Sequence, residues 1–331
     1  MRKLYFLLPG TTRQFYCGGL FAELKTLKLA QQICEAEAVT YRQREEGTLF
    51  IDDILQQPNL ERFIFVVSWG FDVPKLCKRL AGCNVIYHAH SAGYSFRVPP
   101  DVPILTVSRN SLGYWGERAH NALIYYLPNC LEETVVDHHL ERDIDVLVQA
   151  RKSSEYLMQQ LVPALQSRCN VVVIDTFIDD LIECFNRTKV YLYDSAEYWA
   201  QRHLTEGFGL PPMEALACGC QVFSSVNHAL ADYLDPGFNC QKIAGYATGY
   251  DAQRVLQTLE QWQPNRLSED FFAPYRAARL VPRLWVILEG VNQFFDYRQK
   301  HAADIASLTA RRRLYLFFKR VRSKVQKKLA Q

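Results

Sequence analysis

The chain has 331 residues, of which 49% are hydrophobic and 22% are charged, and its formal net charge is +3. This length predicts about two domains, and this composition excludes extended disorder. No apolar run approaches the roughly 18 residues that a membrane span needs. The ten cysteines form no C-x-x-C pair and no zinc-like cluster, so we expect free thiols in the reducing cytoplasm.

The N-terminal half alternates short apolar runs with helical patterns. Residues 4–8 predict a first strand, because the run is too short for a signal peptide and no small-residue cleavage site follows it. Gly18 and Gly19 open a predicted helix. Further strands are predicted at 62–68, 84–88, 102–108 and 121–127, with helices near 73–80 and 111–119. Unbroken apolar strands that alternate with helices indicate a parallel sheet covered on both faces.

The pattern restarts after a polar connector at 131–142. Strands are predicted at 144–148, 170–174, 189–193 and 221–224, helices at 154–165 and 179–186, and a helical region from 251 onward. The chain therefore reads as two doubly wound α/β halves in tandem. Ligands of such sheets bind at the carboxyl ends of the strands, so we expect a site in the cleft between the halves.

The most informative stretch is TEGFGLPPMEALACGC at 205–220. Its glycines allow close backbone approach and positive φ, and its two prolines suit the first turn of a helix predicted at 213–217. Glu206 is then expected on a loop and Glu214 on the first helical turn. The free N–H groups of that turn would bind a diphosphate, and the second carboxylate would accept hydrogen bonds from a ribose diol. An ordinary strand–loop–helix turn is the alternative.

This stretch resembles the E-x(7)-E motif of retaining glycosyltransferases of family 4. The segment DYLDPGFNC at 232–240 is similar to the D-x-x-D-G-x-N stretch of the same family. The resemblance is strongest over 186–242. It implies the GT-B fold, an α/β architecture in which two Rossmann-like domains face a cleft. The expected division is 1–135 for an acceptor-side domain, 136–290 for a nucleotide-sugar-binding domain, and 291–331 for C-terminal helices.

The resemblance also implies roles for the motif. Glu206 would face the donor sugar and stabilise positive charge at its anomeric carbon. Glu214 would hold the ribose hydroxyls of the donor. The backbone N–H groups at Phe208, Gly209 and Leu210 would donate to sugar hydroxyls and to phosphate.

A basic pair after the first strand of the second half is the next candidate. The family has a G-R/K…K pattern here, and this chain has VLVQARKSSEY. Arg151 fits the first basic position, and Lys152 is a candidate for the second, although Ala150 replaces the family's glycine. Cations at these positions would neutralise the leaving diphosphate. The alternative is a solvated basic pair.

Two features of the N-terminal half complete the predicted site. By the resemblance, Gly18 and Gly19 would lie near phosphate and acceptor, although a plain turn is an equal reading of a Gly-Gly pair. One of His88 and His90, at the end of the third strand, would reach the donor sugar, and we favour His90. A hydrogen-bonded or exposed histidine is the alternative for either one.

No metal ion or cofactor is expected, apart from the nucleoside diphosphate-sugar as co-substrate. Asp143 and Asp145 form a D-x-D triplet, but they stand at the start of a strand and lack further oxygen ligands. The GT-B resemblance likewise implies chemistry without a metal.

Residues 311–331 contain nine of the 38 Lys and Arg residues and none of the 35 acidic ones. Leu314, Phe317, Phe318, Val321 and Val325 recur at helical spacing, so this tail predicts a basic amphipathic helix suited to an anionic membrane surface. A helix docked on the body is the alternative. Nucleic acid is not expected as a partner, because the aromatics share one apolar stripe.

These features lead to one functional hypothesis. We expect a retaining hexosyltransferase of polysaccharide biosynthesis, which uses a nucleotide-sugar donor and a glycan or lipid-linked acceptor, in the cytoplasm or peripherally at the inner face of a membrane. Two alternatives remain. One is a non-catalytic protein of the same fold that binds a nucleotide-sugar or a partner, and the other is a sugar-nucleotide epimerase.

Overall fold

Two separate parallel sheets organise the protein. The computed structural model describes residues 1–176, 178, 180–245, 247–302, 304 and 308–329, with side chains described up to 326. Its strands are β1 (Lys3–Leu8), β2 (Ala36–Thr40), β3 (Leu49–Phe50), β4 (Phe63–Val67), β5 (Asn84–Ala89), β6 (Ile104–Thr106), β7 (Ile124–Tyr126), β8 (Ile144–Gln149), β9 (Val171–Ile174), β10 (Thr188–Tyr193), β11 (Gln221–Ser224) and β12 (Gln241–Lys242).

Helices connect these strands and close the chain. They are α1 (Gly18–Gln31), α2 (Ile51–Leu55), α3 (Val73–Arg79), α4 (Arg109–Arg118), α5 (Val162–Gln166), α6 (Leu181–Asn186), α7 (Ala196–Gln201), α8 (Leu210–Ala217), α9 (Thr248–Glu260), α10 (Glu269–Phe272), α11 (Ala277–Lys300) and α12 (Ala310–Leu329). A π-helical stretch, Leu157–Leu161, leads directly into α5.

The first sheet has seven parallel strands in the order β3-β2-β1-β4-β5-β6-β7. Its central strands are buried on both faces, as their continuous apolar sequences predict. On one face Tyr87 packs edge-on against Trp115 of α4. On the other face α1 and α11 cover the strands. The carboxyl ends of β1 and β5 therefore open toward the same edge of this sheet.

The second sheet has five parallel strands in the order β12-β11-β10-β8-β9. The stretch Leu157–Leu161 and α5 pack with α9 on one face, and α6 and α8 cover the other. The predicted fold class of two parallel α/β halves with a helical C-terminus is confirmed.

The connection between the sheets forms no helix or strand from 127 to 143. Near the C-terminus, α11 returns to the first sheet, where Leu280, Leu284 and Leu288 pack against its strands and α1. The predicted domain boundary at 290 stays a prediction, and the helix that contains it packs on the N-terminal half from its first turns.

Most predicted strands agree with the structure to within two or three residues, but three strands were missed. In β2 the sequence AEAVT places Glu37 among small residues, so no apolar run marks it. The strands β3 and β12 have two residues each, which is too short for any periodic signal. The predicted helix at 179–186 begins at Leu181, and residue 179 lies outside the described residues.

The basic tail forms a helix, as predicted. Every described side chain of α12 is exposed, and more than half of the surface of Leu314, Phe317 and Phe318 reaches solvent. The alternative of a helix docked on the body is therefore wrong for the described residues. No helix within the described ranges is both long enough and apolar enough to cross a bilayer.

Candidate active site

The two halves touch through backbone at the loop that precedes Glu206. The Thr205 N–H donates to the Ala92 carbonyl at 3.0 Å, and the Ala92 N–H donates to the Thr205 hydroxyl oxygen at 3.1 Å. A Cβ atom on Gly207 would collide with the carbonyl oxygen of His90. Gly207 is thus needed for close backbone approach, but the partner is the other half of the protein.

Glu206 is buried, and its carboxylate is approached by two hydrogen-bond donors and one ammonium group. Its Oε2 accepts from the Tyr193 hydroxyl at 2.5 Å and from the Trp199 indole N–H at 2.8 Å. Its Oε1 lies 3.5 Å from Lys152 Nζ. Burial alone would raise its pKa, but Lys152 and the hydrogen bonds outweigh burial and lower it. Glu206 is therefore ionised at neutral pH and suits charge stabilisation rather than proton donation.

Of the predicted basic pair, the structure brings Lys152 to the motif. Its ammonium also lies 4.6 Å from the centre of the Trp199 ring. The residue takes a left-handed backbone with φ of 71°, which costs a non-glycine residue on the order of 1 kcal/mol. Arg151 is exposed and has no polar partner among the described residues.

The helix after the motif loop begins earlier than predicted. Gly209 caps α8 with φ of 80°, and the helix starts at Leu210 rather than at 213. Pro211 and Pro212 lie inside its first turn, where their missing N–H groups break no helical bond. Pro211 and Pro212 carry no N–H, and the Met213 N–H makes the first helical bond to the Gly209 carbonyl, so the N–H groups that remain free for an anion are those of Gly209 and Leu210. The Tyr233 hydroxyl donates to the Gly209 carbonyl and fixes this cap.

Glu214 lies on the second turn of α8, not on the first. Its carboxylate lies 3.6 Å from Lys25 Nζ of α1, in the other half of the protein, and Lys25 also approaches Glu132 at 3.4 Å. Burial raises the pKa of Glu214, and Lys25 opposes that rise. The acid that was expected to hold ribose therefore has a cationic partner across the interface.

The two histidines of β5 share a buried carboxylate. Glu23 Oε2 lies 2.6 Å from His88 Nδ1 and 2.7 Å from His90 Nε2. The histidines hold the pKa of Glu23 at about 2 although burial alone would raise it. Burial lowers the pKa of His90, so its ring is neutral at neutral pH. His90 follows the last strand residue and its backbone touches Gly207, which places it beside the motif loop.

The remaining predicted positions are distributed as follows. Gly18 and Gly19 form the first turn of α1, and Phe208 is buried against Tyr233 and Tyr275. Asp143 pairs with Arg187, and Asp145 binds Lys189 at 2.7 Å. Those two aspartates therefore tie the start of β8 to the start of β10.

Sequence reasoning missed Trp199, Tyr193, Lys25 and Glu23. Trp199 lies on α7, in the stretch before the motif for which the sequence predicts no helix or strand. A tryptophan and an acid seven residues apart could have pointed to that contact. No local signal marks Lys25 or Glu23, because both meet partners more than 60 residues away.

A cavity of about 270 Å³ lies away from this cluster. It is lined by Tyr41, Arg42, Asp72, Lys75, Leu76 and Arg79, all in the N-terminal half.

The second half matches a known family. Residues 141–266 match the family model described as glycosyl transferases group 1. The matched range contains Lys152, Glu206 and Glu214. No curated protein sequence matches the chain significantly.

Solved structures resemble the whole architecture at low sequence identity. A glycosyltransferase from Rickettsia africae ESF-5 is 10% identical, with a TM-score of 0.61 over 88% of this chain and 98% of its own. Anabaena HepE in complex with UDP and glucose is 12% identical, with a TM-score of 0.55 over 88% and 98%. A chain of a GtfA/B complex is 13% identical, with a TM-score of 0.52; the match covers 73% of this chain and 59% of that one.

These likenesses establish the fold. The chain has two Rossmann-like domains of the GT-B type. Together with the family match, the fold supports a glycosyltransferase.

Proposed function

We propose that the protein is a retaining glycosyltransferase that moves a sugar from a nucleoside diphosphate-sugar to a hydroxyl acceptor. The observation that carries the proposal is the environment of Glu206. A buried, ionised carboxylate lies 3.5 Å from the Lys152 ammonium, beside a glycine-capped helix start and against the opposite domain. This arrangement offers negative charge to a developing oxocarbenium ion and positive charge to a departing diphosphate.

Each residue then has a defined role. Glu206 Oε1 faces the donor sugar, because Tyr193 and Trp199 already occupy Oε2. Lys152 neutralises the diphosphate, and the N–H groups at Gly209 and Leu210 donate to phosphate or sugar oxygens. Glu214 accepts hydrogen bonds from ribose hydroxyls, which requires it to be shared with, or released from, Lys25.

The proposed reaction needs no covalent enzyme intermediate. The bond between the anomeric carbon and the phosphate oxygen breaks, and its electron pair leaves with the diphosphate. The acceptor hydroxyl forms the new bond from the same face, and its proton passes to the departing phosphate oxygen. The enzyme contributes positioning and charge stabilisation.

A metal ion has no part in this proposal. Among the described residues, Glu23, His88 and His90 are grouped closely enough to be considered as metal ligands. Their 2.6 and 2.7 Å separations are hydrogen-bond lengths, whereas ligands about 2.05 Å from a tetrahedral zinc ion would be about 3.3 Å apart. The spacing therefore favours shared protons over a shared metal.

We also propose that α12 attaches the protein to an anionic membrane surface, on the cytoplasmic side. Its support is the combination of nine basic residues in the tail, no acidic ones, and an apolar stripe that nothing in the described chain covers. A lipid-linked or membrane-proximal glycan acceptor suits that location, and a place in polysaccharide biosynthesis follows from it.

A thermal-shift panel of UDP-, GDP- and ADP-sugars tests the donor site. A ligand at 100 times its Kd should stabilise the protein by about 2.7 kcal/mol. Stabilisation by one nucleotide class, followed by slow release of that diphosphate, supports a transferase. Stabilisation without any turnover would favour the non-catalytic alternative, and interconversion of the sugar would favour the epimerase.

A further inference from the structure

The buried carboxylate of Glu23 has no part in the roles described above. It lies on α1 inside the N-terminal domain, and both it and His88 are 1% exposed, whereas the His90 side chain is 16% exposed. An isolated buried carboxylate is costly, so its retention requires specific partners. Its described hydrogen-bond partners are the two imidazoles.

The geometry restricts the proton positions. An ionised carboxylate oxygen only accepts hydrogen bonds. Because Glu23 Oε2 meets His88 Nδ1 and His90 Nε2, each of those nitrogens must carry a proton. A neutral His90 ring then has an unshared electron pair on Nδ1.

The second nitrogen of each ring has a different environment. His88 Nε2 is buried without a partner in the described residues, as is Glu23 Oε1. His90 Nδ1 has no described partner either, but it belongs to the side chain that solvent reaches. His90 is also the residue whose carbonyl touches Gly207, next to Glu206. Its unshared acceptor is therefore available at the domain interface. The other two members of this triad of Glu23, His88 and His90 are buried.

We propose that Glu23 is a positioning residue that holds His90 as its Nε2–H tautomer, so that His90 Nδ1 accepts a hydrogen bond from a sugar hydroxyl. This inference rests on the proposed glycosyl transfer for its ligand, but the tautomer itself does not. A hydrogen bond to a charged acceptor favours one tautomer by about 10- to 100-fold. His88 occupies the same oxygen from the buried side and restrains the carboxylate from rotating.

The direct test is long-range ¹H–¹⁵N correlation NMR on protein labelled with ¹⁵N-histidine, with resonances assigned from His88→Asn and His90→Asn. We expect a protonated Nε2 and an unprotonated Nδ1 for His90 at neutral pH. A protonated Nδ1 would overturn the proposal and would leave the proposed glycosyl transfer untouched. This measurement needs no Glu23 variant, so a folding defect cannot obscure it.

Variants add a kinetic readout. Glu23→Gln can donate where the carboxylate accepted, so it should mix the His90 tautomers and lower kcat for sugar transfer by up to about 100-fold. Glu117, an exposed carboxylate on α4, provides the matched control: Glu117→Gln should change neither the His90 tautomer nor kcat. An unchanged kcat and an unchanged tautomer in Glu23→Gln would contradict the proposal.

Addition of Zn²⁺ tests whether Glu23, His88 and His90 bind a metal ion instead of sharing protons. We expect added Zn²⁺ to leave the His88 and His90 resonances in place at one equivalent. Stoichiometric shifts of both rings, lost in Glu23→Gln, would overturn the proton-sharing triad in favour of a metal site. Absence of any nucleotide-sugar turnover alongside the expected tautomer would instead refute the proposed function and the assigned ligand of His90.

Discussion

Lys25 of the first helix lies 3.6 Å from Glu214 of the motif helix, so the two domains are joined by an ion pair at the carboxylate proposed to bind ribose. Lys25 is partly buried and lowers the pKa of Glu214 against the effect of burial. The pair therefore couples the domain interface to the ionisation of the acid proposed to bind ribose.

Lys25→Met should weaken nucleotide binding at acidic pH. Without the cation, burial raises the pKa of Glu214 further, so the ionised form that accepts ribose hydrogen bonds is lost at a higher pH as the pH falls. Titration calorimetry with nucleoside diphosphate from pH 5 to 8 measures the effect. Lys28→Met, an exposed lysine one turn along the same helix, is the control, and an equal pH profile in both variants would argue against Glu214 as a nucleotide ligand.

Trp199→Phe should shift the acidic limb of the pH–kcat profile to higher pH. The Trp199 N–H stabilises ionised Glu206, so its removal raises the pKa of Glu206 from its lowered value; activity that requires the carboxylate is then lost at a higher pH. A hydrogen bond to a charged group is worth about 1.5–3 kcal/mol, which predicts a shift of roughly one unit or more. Tyr198→Phe on the same helix should leave the limb in place. An unmoved limb in Trp199→Phe would mean that the indole does not tune this acid.

Gly207→Ala should loosen the contact between the domains. The added Cβ collides with the His90 carbonyl, so the Thr205–Ala92 hydrogen bonds must lengthen or break. Hydrogen exchange of a peptide that contains Thr205 should accelerate by about tenfold or more, as a loss of about 1.4 kcal/mol of protection implies. Gly113→Ala, where a Cβ meets nothing within 4 Å, should leave that exchange rate unchanged. Unaltered exchange in Gly207→Ala would show that the domains do not rest on this contact in solution.

Deletion of 311–331 should reduce sedimentation with vesicles of phosphatidylglycerol and phosphatidylcholine, but not with phosphatidylcholine alone. Each Lys or Arg near an anionic surface contributes about 1 kcal/mol, and the binding should weaken with salt because of screening. Phe317→Ser/Phe318→Ser should weaken binding in the full chain, whereas Phe71→Ser/Phe238→Ser, which changes two exposed aromatics outside the tail, should not. Equal sedimentation with and without the tail would contradict the membrane proposal.

Much of the fold follows from local sequence, whereas much of the site does not. The buried strands can be recognised as apolar runs in the sequence, because both faces of each parallel sheet are covered. Lys25 and Glu23 give no such signal, because their partners come from other strands and from the other domain. The helix α8 begins three residues earlier than predicted, because Gly209 caps it and Pro211 and Pro212 lie within its first turn. Lys152 rather than Arg151 meets Glu206, and it does so from a left-handed backbone that no sequence pattern indicates.

The most direct test of the account compares nucleotide-sugar turnover by the wild type and by Glu206→Gln, with binding measured on the same samples. Glu206→Gln keeps the shape of the side chain and removes its charge. We predict that it binds the donor within about threefold of the wild type but loses turnover by roughly 100-fold or more. Turnover equal to that of the wild type would contradict the assigned role of Glu206, and so would a matched loss of binding and turnover.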